Sequence, residues 1–147
     1  KSNILLIQTA DCIPMFIYDN NNLFGLIHAG WRGIVKNIHR KAVEKLIYSG
    51  SNIKNIKIFL GPSIKSCCFE IKDDIINYFN KQYIISKNNK KFVNLTQIVI
   101  DELENIGVLS ENISYSKICT FDDLKCISYR KNKKNIRRMY SIMCYKQ

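Results

Sequence analysis

Residues Thr9 to Gly33 read TADCIPMFIYDNNNLFGLIHAGWRG, and their pattern sets the fold. Apolar and aromatic residues run from Ile13 to Tyr18 and again from Leu23 to His28. Between them lies Asp19-Asn20-Asn21-Asn22, residue types that close turns and tolerate left-handed backbone. Two such runs around such a turn are the two strands of a β-hairpin. A turn centred between Asn20 and Asn21 sets Cys12 opposite His28 to within one residue. Opposed residues share a face, with Cβ atoms roughly 5 Å apart. A thiolate and an imidazole at that separation can hold one metal ion or exchange a proton. The hairpin then runs into Gly30-Trp31-Arg32-Gly33.

Outward from the hairpin, Asn3 to Thr9 reads as a strand leading in. After Gly33, apolar positions Ile34, Val35, Ile38, Ala42, Val43, Leu46 and Ile47 recur at helical spacing, and Gly50 stops that helix. Lys57 to Leu60 is a buried strand broken by Gly61-Pro62, and Cys68 to Ile71 is a short extended piece. Asp73 to Phe79 reads as a short helix with acids in its first turn. Lys87-Asn88-Asn89-Lys90-Lys91 reads as a surface loop. Thr96 is placed to cap a helix over Ile98, Val99, Leu103 and Ile106 that ends at Gly107. Three strands follow, Ile113 to Ile118, Cys126 to Arg130 and Met139 to Tyr145. With no internal repeat or boundary, residues 1–147 read as one α+β domain, a layered mixed β-sheet covered by helices.

Composition narrows the function classes. Content that is 46% hydrophobic and 24% charged over 147 residues suits one globular core. No apolar run approaches the roughly 18 residues of a membrane span. The N-terminal Lys1 to Ile7 lacks the small-residue cleavage spacing of a signal peptide and reads as a strand. A net charge of +11 invites a nucleic-acid reading. The lysines are scattered, however, and the one tight basic group is Arg130 to Arg138, so we read a compositional bias toward Lys, Asn and Ile, and no nucleic-acid partner. The six cysteines, Cys12, Cys67, Cys68, Cys119, Cys126 and Cys144, match no secreted disulfide framework and no CxxC zinc signature. They point to a reducing, cytoplasmic setting in which most thiols pack as small hydrophobes.

The segments TADCIPMFIYD, HAGWRG, GPSIKSCCFEI, CTFDDLKCISYRK and RRMYSIM resemble a known family. It is the laccase-domain family, once called multicopper polyphenol oxidoreductases and now described as zinc-dependent purine nucleoside phosphorylases that also deaminate adenosine. The resemblance runs from end to end. It implies a metal held by Cys12 and His28, with a third ligand, a His, in an N-terminal part that precedes the TADC strand in family members and is missing here. It also implies that Arg130, in SYRK where the family shows SYRR, and Arg138, at the family's Arg-Met step, contact phosphate or carboxylate. Near them the chain departs from the family. Cys126-Ile127 replaces an aromatic pair, Lys131 replaces an Arg and Arg137 replaces a Gly.

The residues themselves allow more than one chemistry. A catalytic zinc takes three protein ligands and keeps a position for water or substrate, and Cys12 and His28 supply two. The other histidine, His39, is expected on the solvent side of its helix. A lone Cys and a lone His are more often packing residues. Copper is the weaker alternative, since a blue-copper site wants two imidazoles and a thiolate. Gly30 and Gly33 let backbone approach a ligand, a helix starting near Gly33 aims its N–H groups there, and Arg32 offers a fork matched to phosphate. Trp31 is placed to stack on a purine or to join the core. Asp11 is expected on the face opposite Cys12, and Glu70 is either an acid/base or an ion-pair partner for a lysine. The first reading is therefore phosphorolysis of purine nucleosides with phosphate at Arg32, together with adenosine deamination, using zinc. The alternatives are a Cys12/His28 thiol hydrolase of the peptidoglycan-editing amidase type, a laccase-like copper oxidoreductase, and an inactive fragment.

Overall fold

The computed structural model describes residues 3–134 and 136–144. Strands β1 (Ile4–Thr9), β2 (Ile13–Tyr18) and β3 (Phe24–Ala29) lead into helices α1 (Trp31–Val35) and α2 (Ile38–Tyr48). Then come β4 (Lys57–Leu60), β5 (Glu70–Ile71), α3 (Asp73–Ile76), β6 (Ile84–Lys87), β7 (Lys90–Val93), α4 (Leu95–Asn105), β8 (Ile113–Tyr115) and β9 (Met139–Cys144). The architecture is α+β with a mixed central sheet. That sheet has the order β3-β2-β4-β8, antiparallel except for the parallel β4–β8 pair. A two-stranded β1–β9 ladder and a three-stranded β5-β7-β6 sheet flank it.

The core follows from strand alternation. Ile13, Met15 and Ile17 of β2 and Ile58 and Leu60 of β4 are at most 1% exposed. Buried Val43 and Leu46 of α2 and Ile98, Val99 and Leu103 of α4 belong to the same cluster. Each fully buried Ile, Leu or Met contributes about 1.5–3 kcal/mol relative to exposure. On the alternate positions of β2 and β4, the Phe16 and Phe59 rings pack with centroids 5.8 Å apart. Gly61 lets the chain after β4 close on β2, its N–H donating to the Pro14 carbonyl at 2.9 Å. A Cβ there would lie 2.7 Å from Pro14 Cγ, so only glycine fits.

The hairpin forms with a shifted register. Pro14 pairs with His28 and Ile13 with Ala29, so Cys12 lies diagonal to His28. The turn is one residue longer than a centre between Asn20 and Asn21 allows. Asp19 N–H donates to the Leu23 carbonyl at 3.0 Å, and Asn22 is left-handed at φ 63°, the form of a three-residue loop closed by a left-handed residue. The Asp19 carboxylate, buried, accepts from Asn21 N and Leu23 N and from Ser51 Oγ at 2.6 Å.

Other elements differ from expectation for local reasons. The single helix expected after Gly33 is two, because Asn37 at φ 59° breaks it. The cap of α4 is Asn94, whose side chain accepts from Gln97 N, and not Thr96. The expected loop at residues 87–91 is the tip of the β6–β7 hairpin, turned by Asn88 and Asn89 at φ 49° and 56°, where asparagine tolerates a turn that favours Asn-Gly. The helix expected to reach Phe79 stops at Ile76, and β8 stops at Tyr115. Residues 126–130 are irregular and end in a turn at 129–130 instead of forming a strand. Lys1, Ser2 and Tyr145 of the expected terminal strands lie outside the described residues.

Candidate functional site

Gly30 is where the two sequence-chosen ligands meet. A Cβ placed on it would lie 3.0 Å from Cys12 Sγ and 3.8 Å from His28 Nε2. Thiol and imidazole therefore converge on a space that any side chain at position 30 would fill. This donor set fits zinc, as two of the three protein ligands of a catalytic centre. His28 reaches the point from β3 with its side chain exposed, while Cys12 is half-buried just before β2. Burial pushes the Cys12 thiol above its ordinary pKa, Asp11 adds to the rise, and Arg138 opposes it.

Beside Cys12 opens a cleft of about 500 Å³. Trp31, Phe69 and Tyr129 supply aromatic surface, Arg32, Lys72, Arg130 and Lys133 supply positive charge, and Asp11, Glu70 and Asp74 supply carboxylates. Of the residues chosen from sequence, Cys12, Trp31, Arg32, Glu70 and Arg130 all line this cleft. Arg32 is exposed and lies over the Trp31 ring, 4.3 Å from guanidinium carbon to centroid. Trp31 in turn packs on Tyr78 and Phe79, centroids 5.9 and 6.2 Å away. Arg138 lies over the Tyr129 ring at 5.6 Å.

The start of α1 is a weaker anion device than expected. The helix begins at Trp31, not Gly33, and spans five residues, too few for a substantial dipole. Positive charge at the cleft therefore rests on side chains. Arg130 is braced by its own contacts: a guanidinium nitrogen donates to the Glu70 carbonyl at 2.8 Å, and the group lies 5.3 Å from the Phe69 ring centroid. Glu70 pairs with Lys90 Nζ at 3.0 Å across the β5-β7-β6 sheet, the plainer of its two expected roles.

Asp11 departs from simple alternation. Its φ of 82° swings the carboxylate inward, where Oδ1 accepts from Thr120 Oγ1 at 2.8 Å and Oδ2 from the Arg130 N–H at 2.7 Å. It is buried and forms part of the cleft wall. No periodicity marks a left-handed aspartate, so sequence reading missed this role. Lys72 and Asp74, at the start of α3, and Tyr129 and Lys133, in turns, were missed because only the fold brings these segments together.

His39 does not face solvent. It is 0% exposed, and its Nε2 is hydrogen-bonded to the Glu102 carboxylate of α4. The cysteines also differ from small core fillers. All six are free thiols, Cys67 and Cys144 are exposed, and Cys67, Cys68 and Cys119 gather with Asp122. The signal was an adjacent cysteine pair and a later Cys-x-x-Asp, too sparse to read without the fold. Among the described residues, no helix is long and apolar enough to cross a membrane.

The chain is 30% identical to a purine nucleoside phosphorylase of Clostridium acetobutylicum, across 99% of this chain and 64% of that protein. It is 31% identical to an adenosine deaminase from an unknown prokaryotic organism, across 80% of this chain and 48% of that protein. Among solved structures, the hypothetical protein YfiH of Bacillus licheniformis superposes with a TM-score of 0.87 at 28% identity, covering 95% of this chain and 56% of that one. The chain thus spans about half to two-thirds of the length of these relatives. The family described as multi-copper polyphenol oxidoreductase laccase matches residues 1–146, and the chain belongs to it.

Proposed function

We propose that the cleft beside Cys12 performs phosphorolysis of the N-glycosidic bond of purine nucleosides, with adenosine deamination at the same site, and that Cys12 and His28 hold a zinc ion there. The observation that carries this reading is the convergence of Cys12 Sγ and His28 Nε2 on the space left open by Gly30, at the edge of a cleft lined with cations and aromatic rings. The names of the two curated relatives agree with it.

In this reading Arg32, with Lys72 or Lys133 of the same cleft, holds inorganic phosphate as a forked donor and a counter-charge. A phosphate oxygen bonds to ribose C1′ as the bond from C1′ to the purine nitrogen breaks. The electron pair of that bond leaves with the base, which takes up a proton, and the products are ribose 1-phosphate and free purine. Trp31 and Tyr129 offer faces on which the base stacks. Arg130, held by Asp11 and the Glu70 carbonyl, presents its guanidinium without further ordering. Cys12 and His28 would hold the zinc, which would supply the Lewis acidity that deamination needs.

One feature of the structure weighs against the thiol hydrolase. A thiol nucleophile needs a lowered pKa, and burial and Asp11 move Cys12 the other way. The free thiols fit a reducing cytoplasm, where we place the protein. The deciding experiment follows inosine consumption against phosphate concentration, with and without zinc, in protein of the relatives' full length. Turnover that saturates with phosphate supports phosphorolysis; turnover indifferent to phosphate overturns it.

A further inference from the structure

Two loops bring three thiols and a carboxylate to one point. Cys67 and Cys68 lie in the turn that precedes β5, and Cys119 lies where the chain bridges back to Ser63. Cys68 Sγ is 3.2 Å from Cys67 Sγ, and Cys67 Sγ is 3.6 Å from Cys119 Sγ. Asp122 places carboxylate oxygens 3.4 Å from Cys67 Sγ and 3.3 Å from Cys68 Sγ. The four ligand atoms all fall within 4.8 Å of one another. A tetrahedral ion with bonds to sulfur of about 2.3 Å sets its ligands roughly 3.8 Å apart, close to these spacings.

The backbone holds this arrangement. Cys68 N–H and Phe69 N–H donate to the Lys65 carbonyl at 3.0 and 2.9 Å, curling the cysteine pair back on the loop. Asp122 N–H and Asp123 N–H donate to the Cys119 carbonyl at 3.2 and 3.0 Å, which brings Asp122 over Cys119. Lys65 N–H points at Cys119 Sγ from 3.4 Å. Groups that are anionic when ionised cannot all carry charge at such distances unless a cation sits among them. Thiolates with one carboxylate select zinc over magnesium or calcium.

We propose that Cys67, Cys68, Cys119 and Asp122 form a structural zinc site, closed by four protein ligands and distinct from the Cys12 and His28 pair. Binding releases the proton of each thiol, and the ion clips the loop after β4 to the loop after β8. The clip reaches the cleft through its neighbours. Phe69 and Glu70 follow Cys68 into the cleft wall, and Thr120 follows Cys119 to the Asp11 carboxylate. The site thereby stiffens a wall of the cleft without touching what binds there.

The test uses the reduced, chelator-stripped chain carrying Cys12→Ser and His28→Ala, so that the first pair is silent, titrated with zinc and with cobalt(II) as an optical probe. The expected result is one equivalent bound per chain, with thiolate-to-cobalt charge-transfer absorption, lost in Cys119→Ser and weakened about tenfold or more in Asp122→Asn. The exposed Asp122 side chain makes that second variant informative even where Cys119→Ser fails to fold. Absence of uptake, or uptake unchanged by Asp122→Asn, overturns the site, as does a Cys67–Cys119 disulfide that persists in mild reductant. Because the first pair is absent throughout, the result stands apart from the proposed phosphorolysis.

Discussion

His39 Nε2 is hydrogen-bonded to the Glu102 carboxylate, while His39 Nδ1, also buried, has no partner among the described residues. A neutral ring with its proton on Nε2 satisfies this arrangement, since Nδ1 then holds only a lone pair. Protonation would strand an N–H. Burial lowers the His39 pKa below its ordinary 6.5, outweighing the opposite pull of Glu102, and Arg40 adds to the lowering. A depressed histidine pKa means that the unfolded chain binds the proton more readily. The stabilisation is thus present above about pH 6.5 and is lost as pH falls through the lower folded value. Urea unfolding at about pH 7.5 and about pH 5.5 checks this. The wild type should lose more stability between the two than His39→Gln does.

Gly30 isolates sterics from backbone strain. Its φ of −77° and ψ of 163° suit any residue, so Gly30→Ala should fold with a melting temperature near that of wild type. Its methyl would occupy the point between Cys12 Sγ and His28 Nε2, and zinc affinity at that pair should fall about tenfold or more. Isothermal titration with zinc, in chains carrying Cys67→Ser and Cys68→Ser so that the second cluster is silent, reads the loss. An unchanged affinity would remove Cys12 and His28 as joint ligands.

Arg32→Lys keeps the charge and loses the fork. In protein of the relatives' full length, the phosphate KM for inosine phosphorolysis should rise by about an order of magnitude. Adenosine deamination should change by less than about threefold, because it consumes no phosphate. Equal losses in both activities would assign Arg32 to nucleoside binding instead.

Asp11→Asn retains a residue type that accepts positive φ, so its effect reports the carboxylate and not the turn. Weakening the acceptor for Thr120 Oγ1 and Arg130 N–H should cost about 1–3 kcal/mol, measured as a shift in urea midpoint at unchanged slope. Amide hydrogen exchange at Arg130 should rise with it.

The hairpin and the approach of Cys12 to His28 were legible because apolar runs flank a stretch of turn formers, a signal contained in 25 contiguous residues. Its register was not, since one left-handed residue, Asn22, decides the loop length. The anion turn was half legible. Arg32 lines the cleft as its spacing suggested, but Asn37 cuts the helix meant to reinforce it. Residues 126–130 have strand-like composition and yet form no strand, and the Arg130 N–H among them goes to Asp11 instead of a neighbouring strand. The cysteine cluster stayed hidden for a different reason. Cys67 and Cys119 are 52 residues apart, and no periodicity links positions that far removed.

Asp11 and Arg130 stand 119 residues apart, which bears on the order in which the molecule is made. Synthesis at about 5–20 residues per second leaves on the order of ten seconds between the emergence of the two. In that interval β2, β3 and β4 can pair, whereas β1 waits for β9 and the Asp11 carboxylate waits for Thr120 and the Arg130 backbone. A nascent chain released at about residue 118 would carry all four strands of its central sheet and both residues that meet at Gly30, but not Tyr129, Arg130 and Lys133 of the cleft. Vectorial growth therefore assembles the scaffold first and completes the cleft last.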